Sequence, residues 1–180
     1  MGSDKAFLEI NGQTLLARAL QLATSVTDDA YIVGSRDKFQ PLGATVEDIY
    51  SDRGPLGGIH AALSATKREL NLVLAVDLPF IEPKFLDSLV HLAKKDDAVV
   101  TVPRAAGGLQ PLCAVYRTEF RPVAEQALQA GRNKIDPLFQ HVSVRILEED
   151  ELRQVGFSAA MFDNLNTRAE LEAARQRGKR

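Results

Sequence analysis

The chain has 180 residues, of which 45% are apolar, and its formal net charge at neutral pH is −2. This length and apolar content are enough for a full hydrophobic core, so residues 1–180 are expected to form a single domain. The near-neutral charge argues against nucleic acid or a membrane surface as the main partner. Cys113, the single cysteine, excludes an internal disulfide, and the sequence shows neither a membrane-length apolar run nor a signal-peptide pattern. A cytoplasmic location is therefore expected.

The chain up to residue 48 contains short extended segments around one predicted helix. Thr14 can cap this helix, which is predicted to run to about Thr24 with leucines and alanines along one stripe. An Asn11-Gly12 turn is expected to precede the helix. The predicted strands span residues 6–10, 30–33 and 45–47, and a loop at 34–36 follows the second of them.

A glycine-rich segment stands before the centre of the chain. Residues 54–58 are Gly-Pro-Leu-Gly-Gly, and they are predicted to form a turn that opens a helix over about residues 59–67. Glycines in such a turn allow a ligand to approach the backbone closely, and free N–H groups at a helix start attract anions. Ordinary turn chemistry explains the same segment, so both interpretations stay open.

The most informative stretch is an unbroken apolar run that ends in a carboxylate. Residues 72–76 lack any polar alternation, which is typical of a strand buried on both faces of a parallel sheet. Asp77 follows at the carboxyl end of this predicted strand, where open α/β sheets bind their ligands, and Pro79 is expected to stop the pairing. The pattern alone leaves two possibilities, an aspartate that caps the next turn or a metal or phosphate site.

Strands and helices continue to alternate to the end of the chain. Pro83 is expected to begin a helix, and Gly131 to end a later one. A flexible connection is expected at residues 104–108. The other predicted strands span residues 98–102, 112–116 and 142–147, and residues 161–167 are predicted to be a short strand that runs into a loop. The other predicted helices span residues 120–129, 135–139 and 167–176. This alternation predicts an α/β fold with a mostly parallel sheet.

Several motifs, in their order along the chain, resemble the molybdenum cofactor guanylyltransferase family of Rossmann-like nucleotidyltransferases. The motifs are Met1-Gly2-Ser3-Asp4-Lys5-Ala6, Asp48, Gly54-Pro55-Leu56-Gly57-Gly58, Asp77-Leu78-Pro79-Phe80, Gln110-Pro111-Leu112 and Asn164-Leu165-Asn166-Thr167. The resemblance covers essentially the whole chain. Its Asp-Lys pair is similar to the guanylyltransferase branch, whereas the sister cytidylyltransferases carry Pro-Lys there. The resemblance implies a three-layer α/β/α nucleotidyltransferase fold.

The resemblance also implies roles for individual residues. Lys5 would contact the nucleotide phosphates, and Asp77 would hold Mg²⁺. Asp48 would be an acidic residue of the nucleotide site, and Gly57 and Gly58 would line the base and ribose pocket. Gly34 or Ser35 would lie in the loop beside the guanine. The residues implied on the acceptor side are Gln110, Pro111, Asn164 and Asn166.

The implied reaction is transfer of GMP from GTP to the phosphate of molybdopterin, with release of pyrophosphate. Mg²⁺ is the implied cofactor, and other cofactor-biosynthesis proteins or molybdoenzyme chaperones are candidate protein partners. Two alternatives stay open. One is a CTP-dependent or sugar-phosphate nucleotidyltransferase of the same fold, and the other is a non-catalytic binding protein.

Two features depart from the family pattern. The family has a strand and a Leu-Ala-Gly-Gly loop before the position of Met1, and this segment is absent here. The first strand of the sheet is therefore expected to be missing, with an interruption between its neighbours and a chain that looks truncated. Arg168 also stands where the family usually has proline.

Overall fold

The computed structural model of the chain describes residues 4–165 together with Glu170 and Glu172. Asn166, Thr167 and most of the predicted final helix lie outside the described residues. The helices are α1 (Leu15–Thr24), α2 (Arg36–Phe39), α3 (Gly54–Ala65), α4 (Pro83–Lys95), α5 (Phe120–Gln129) and α6 (Glu149–Gln154). The strands are β1 (Glu9–Ile10), β2 (Gln13–Thr14), β3 (Ile32–Val33), β4 (Thr45–Val46), β5 (Leu70–Leu74), β6 (Val100–Ala105), β7 (Gly108–Leu109), β8 (Cys113–Arg117) and β9 (Val144–Leu147). Within this described part, no helix has the length and apolar character needed to span a bilayer.

The main sheet is mixed rather than mostly parallel. Strand β8 pairs antiparallel with both β5 and β6, and β9 pairs parallel with β6. Strands β5, β6 and β9 therefore run in one direction and β8 runs against them. The reason lies in the connections, because β6, β7 and β8 follow one another through short turns, whereas a parallel pair needs a crossover of a dozen or more residues. The predicted α/β class is confirmed.

The predicted interruption of the sheet is present. Strands β3 and β4 form a separate parallel ladder, and β5 lies at the edge of the main sheet with no strand among the described residues on its other side. The five residues of β5 are consequently half-buried. The prediction that this strand is buried on both faces was wrong, because an edge strand without a second neighbour leaves its side chains partly uncovered.

Strand β8 shows the three-layer arrangement most clearly. Its side chains alternate, so that Cys113 and Val115 pack towards α4 while Ala114 and Tyr116 pack towards α3 and α5. All four residues are essentially inaccessible to solvent. Burial of such side chains typically stabilises a fold by about 1.5–3 kcal/mol for each large apolar residue, so both helical layers contribute to the core.

The N-terminal elements differ from the prediction of an extended segment at residues 6–10. Lys5–Phe7 is a turn of 3₁₀ helix, because the Asp4 carboxylate accepts a hydrogen bond of 2.9 Å from the Ala6 N–H. The chain is extended only in β1, which pairs with β2 around the predicted Asn11-Gly12 turn. Thr14 caps α1 as predicted, by accepting a hydrogen bond of 3.1 Å from the Ala17 N–H.

Three other segments also differ from their predictions. Residues 104–108, predicted to be a flexible connection, form the hairpin between β6 and β7. Residues 161–167, predicted to be a short strand that runs into a loop, begin inside a 3₁₀ turn, Ala159–Phe162, in which the Ser158 hydroxyl accepts a hydrogen bond of 3.2 Å from the Ala160 N–H. Helix α6 was not predicted, although Glu148 and Glu151 form a capping box at its start.

Candidate functional site

Lys5 and Asp77 meet at the end of β5. Their charged groups are 3.1 Å apart, from Lys5 Nζ to Asp77 Oδ2, although the residues are 72 positions apart in the chain. The side chains are 36% and 23% exposed, so solvent reaches the pair. A carboxylate and an ammonium group that lie partly open in this way can each contact an incoming ligand of opposite charge.

The loop that carries Asp77 is held from two sides. The Leu165 N–H donates a hydrogen bond of 3.1 Å to the Asp77 carbonyl, and Arg18 Nε donates one of 2.6 Å to the Pro79 carbonyl. The first of these bonds places exposed Asn164, which precedes Leu165, in the segment beside Asp77. Asn166, the other asparagine predicted on the acceptor side, lies outside the part of the chain that the structure describes.

The turn at Gln110 and Pro111 lies next to the same strand end. The Ala75 N–H donates a hydrogen bond of 2.7 Å to the Leu112 carbonyl, so this turn adjoins the segment between β5 and Asp77. Gln110 Nε2 donates to the Ala105 carbonyl at 3.0 Å, and the Pro111 carbonyl accepts a hydrogen bond of 2.8 Å from the Tyr116 hydroxyl. Both residues are therefore fixed by the hairpin and the core.

Asp48, Gly57 and Gly58 form a second group, at the start of α3. A Cβ atom at Gly57 or Gly58 would lie 3.9 or 3.8 Å from Asp48 Oδ1, so the carboxylate rests against the helix where side chains are absent. Burial raises the pKa of Asp48 above its ordinary value. The glycines do not form the predicted turn before the helix. Helix α3 begins at Gly54 rather than near Ile59, because the fixed φ of Pro55 suits the first helical turn; Gly54 before it adopts a left-handed φ of 61°.

Gly34 and Ser35 lie between β3 and α2. The Gly34 N–H donates a hydrogen bond of 2.9 Å to the Val46 carbonyl, which ties this loop to β4. The ring of Phe39 covers Gly34 so closely that a Cβ atom there would lie 2.8 Å from the ring. Ser35 is the first residue before α2, and its side chain does not cap that helix.

The two groups of residues are neighbours. Val76, which precedes Asp77, packs in one small apolar cluster with Ile32 of β3, and Val33 lies against Gly58. The structure thus brings Lys5, Asp77, Asn164 and the Gln110-Pro111 turn together around the end of β5, with Asp48, Gly34 and the glycines of α3 on the adjoining side. Contacts from Lys38 and Phe39 to this region were not predicted, since no local pattern links them to Lys5.

The described residues contain no cluster of three or more histidine, cysteine or acidic side chains that could hold a metal ion. A single carboxylate still fits Mg²⁺, because this ion is commonly bound by one or two carboxylates together with substrate phosphates and water. Asp77 is such a carboxylate, accessible and beside a cation that can face phosphate.

Cys113 and His60 are buried away from solvent. Cys113 is fully buried, and burial raises the pKa of its thiol. His60 is buried in α3, where burial lowers its pKa and its Nδ1 atom has no hydrogen-bond partner among the described residues. Neither group is placed to act as a nucleophile or a general base.

A hollow of about 290 Å³ lies at the end of α5. It contains none of the predicted site residues. Its walls are formed by Arg132, Asn133, Lys134, Pro137, Leu138, Gln140 and His141. The site around Lys5 and Asp77 lies elsewhere, at the end of β5.

Comparison with known proteins identifies close relatives. The family model described as the MobA-like NTP transferase domain matches residues 1–146. The molybdenum cofactor guanylyltransferase of Desulfosudis oleivorans is 34% identical, over 96% of this chain and 86% of its own length. A probable molybdenum cofactor guanylyltransferase of Pelotomaculum thermopropionicum is 33% identical, over 97% of this chain and 85% of its own length.

Solved structures share the fold. Molybdopterin-guanine dinucleotide biosynthesis protein A from Archaeoglobus fulgidus matches with a TM-score of 0.86 and 23% identity, over 99% of this chain and 92% of its own. The 2-C-methyl-D-erythritol 4-phosphate cytidylyltransferase of Thermus thermophilus matches with a TM-score of 0.74 and 18% identity, over 98% of this chain and 94% of its own. The predicted α/β nucleotidyltransferase fold is confirmed, with the mixed sheet described above.

Proposed function

Because this chain belongs to the family of MobA-like NTP transferase domains, we propose that it transfers GMP from GTP to the phosphate of molybdopterin and releases pyrophosphate. The observation that carries the proposal is the contact between Lys5 and Asp77 at the end of β5. Curated relatives with the name molybdenum cofactor guanylyltransferase support the choice of GTP and molybdopterin.

The proposed reaction is an in-line attack by an acceptor phosphate oxygen on the α-phosphorus of GTP. The bond from that phosphorus to the bridging oxygen of pyrophosphate breaks as the new bond forms. Such a transfer depends on positioning and on neutralisation of charge. Lys5 offsets the negative charge that develops on the departing pyrophosphate. No general base is required, since the attacking phosphate is already ionised at neutral pH.

Asp77 is the residue that would hold Mg²⁺, which when bound supplies positive charge to the phosphate oxygens. Until the ligand arrives, the Lys5 ammonium group offsets the charge of the Asp77 carboxylate. Asp48, Gly57, Gly58, Gly34 and Ser35 are proposed to receive the nucleoside. Their grouping beside Val76 supports this assignment.

The acceptor is proposed to bind at the turn of Gln110 and Pro111 and at the segment of Asn164 and Asn166. The hydrogen bonds from Ala75 to Leu112 and from Leu165 to Asp77 support this assignment, because they tie the turn and the neighbourhood of Asn164 to the end of β5. An acceptor on this side would approach the α-phosphate next to Asp77.

Thermal unfolding with Mg²⁺ alone and then with GTP or CTP tests the choice of nucleotide. A ligand at a hundredfold excess over its Kd stabilises the folded state by about 2.7 kcal/mol, which is a visible rise in Tm. We expect the rise with GTP. A rise with CTP alone would favour a cytidylyltransferase. Binding of GTP without pyrophosphate release in the presence of Mg²⁺ and molybdopterin would favour a non-catalytic binding protein.

A further inference from the structure

A mixed polar and aromatic contact joins the turn that carries Lys5 to the helix that follows Gly34 and Ser35. The rings of Phe7 and Phe39 stack with their centroids 6.0 Å apart and an interplanar angle of 11°. Lys38 Nζ lies 5.4 Å from the centroid of each ring and forms an ion pair with the Asp4 carboxylate. An ammonium group at this distance from an aromatic ring is attracted by the ring's negative face.

Each half of this contact is attached to a different part of the candidate site. Asp4 also accepts the hydrogen bond from the Ala6 N–H, so one carboxylate both forms the turn of Lys5 and holds Lys38. On the other side, the Phe39 ring covers Gly34. The contact therefore links the backbone of Lys5 to the backbone of the Gly34 loop, across 34 positions of sequence between Asp4 and Lys38.

We propose that this contact of Asp4, Phe7, Lys38 and Phe39, termed the clamp, sets the distance between Lys5 and the Gly34-Ser35 loop. The proposal rests on the proposed function, in which Lys5 receives the phosphates and the loop receives the base. A nucleotide that must reach both ends at once binds well only when their separation matches its length. Inorganic pyrophosphate, which needs only the phosphate end, is insensitive to that separation.

The clamp residues act through the groups that they position, so the test compares two ligands. Lys38→Met keeps the apolar stem of the side chain over the rings and removes the ion pair. Asp4→Asn keeps the oxygen that accepts the Ala6 N–H and removes the charge. Each variant is expected to weaken binding of the nucleotide by about three- to tenfold in calorimetric titration, with pyrophosphate affinity within about twofold. The double variant is expected to bind the nucleotide no more weakly than the single variant with the lower affinity, because the two residues form one contact.

Two further variants separate positioning from general stability. Lys38→Arg keeps a cation over the rings and is expected to retain nucleotide affinity within about twofold. Arg68→Met removes an exposed ion pair with Asp29 that has no contact with the clamp, and it is expected to leave both affinities unchanged. Equal weakening of nucleotide and pyrophosphate would overturn the proposal, as would unchanged nucleotide affinity together with a lowered Tm.

The nucleotide used is the one that the unaltered chain binds more tightly in the unfolding experiment above. A preference for CTP would therefore contradict GMP transfer without affecting the test of the clamp. If the unaltered chain bound neither nucleotide, the clamp proposal would be overturned as well.

Discussion

At the residue scale, the contact between Lys5 and Asp77 explains how a carboxylate is retained near the core. A partly buried charge is costly unless an opposite charge meets it, and Lys5 meets Asp77 at 3.1 Å. The same arrangement leaves both groups able to face a ligand. Structural pairing and the proposed catalytic role therefore use the same two side chains.

Replacement of Asp77 tests the proposed role directly. Asp77→Ala is expected to lower kcat/KM for pyrophosphate release from GTP by at least about 10²-fold, the scale found for single electrostatic groups in active sites. Asp87→Ala is a matched control, because Asp87 lies on the exposed face of α4. Full activity of Asp77→Ala in the presence of Mg²⁺ and molybdopterin would remove the proposed metal site.

The buried carboxylate of Asp48 is expected to make the free energy of unfolding depend on pH. Burial raises its pKa above the ordinary value of 3.8, so the folded protein binds this proton more readily than the unfolded chain does. At a pH well below 3.8 the carboxyl is protonated in both states, so burial of its charge does not lower the free energy of unfolding. At a pH above the raised pKa the carboxyl is charged in both states, and the full destabilisation is present. In urea unfolding, Asp48→Asn is expected to raise the free energy of unfolding relative to the unaltered chain at pH 7, with a smaller difference as the pH falls towards about 4.

The same variant is expected to bind GTP less tightly, since Asp48 is proposed to belong to the nucleotide site. Stability and binding would then change in opposite directions. A gain in stability of the same size at low and neutral pH would show that charge burial is not the cause.

At the element scale, α3 differs most from its prediction. The Gly-Pro-Leu-Gly-Gly segment forms the first turns of the helix, so Gly57 and Gly58 are helical residues with α-helical neighbours. Glycine in a helix interior is unfavourable by about 1 kcal/mol relative to alanine. Its presence here allows Asp48, Tyr50 and Val33 to approach the helix backbone.

Substitution by alanine is expected to have different effects at Gly57 and at Gly58. A Cβ atom at Gly58 would make ordinary contacts, at 3.5 Å from Val33 Cγ1, so Gly58→Ala is expected to stabilise the protein by up to about 1 kcal/mol. A Cβ atom at Gly57 would lie 3.2 Å from both the Tyr50 carbonyl oxygen and Arg53 Cβ. Gly57→Ala is therefore expected to gain less stability and to displace the Asp48 segment. Thermal unfolding and GTP titration of the two variants measure the change in stability and the displacement of the Asp48 segment. Identical results for the two variants would contradict the argument from the Cβ distances.

At the scale of the whole molecule, the main sheet and the separate ladder of β3 and β4 are expected to differ in their protection from hydrogen exchange. Strand β8 is paired on both sides and buried on both faces, whereas β3 and β4 form a ladder of two residue pairs. Amide hydrogens of β8 are therefore expected to exchange only on global unfolding, and those of β3 and β4 through smaller local openings.

The single domain expected for residues 1–180 stays a prediction.

Hydrogen exchange with and without nucleotide tests this picture. We expect GTP and Mg²⁺ to slow exchange at residues 34–48 and at residues 75–77 in the same titration, because the proposed ligand contacts both the region of β3 and β4 and the end of β5. Residues 120–129 of α5 serve as an internal reference with no proposed ligand contact. Protection confined to one of the two ligand-binding segments would contradict a nucleotide that spans them.

The sequence by itself determined the elements whose signals are local. Helix α5 has the predicted bounds, because its apolar stripe and the stop at Gly131, with a φ of 72°, lie within one short segment. Thr14 caps α1 for the same reason. The site residues came from the family resemblance rather than from such patterns, since no local signal distinguishes Lys5 from a solvated lysine.

Only the tertiary structure decided what depends on residues far apart in the chain. The antiparallel pairing of β8 with β5 joins segments that are far apart in the chain, and the half-burial of β5 follows from its place at an edge. The contact of Lys5 with Asp77 and the clamp between Asp4 and Lys38 join residues 72 and 34 positions apart. Helix periods and caps depend on neighbouring residues, but these contacts exist only because the packed core brings distant segments to one end of the sheet.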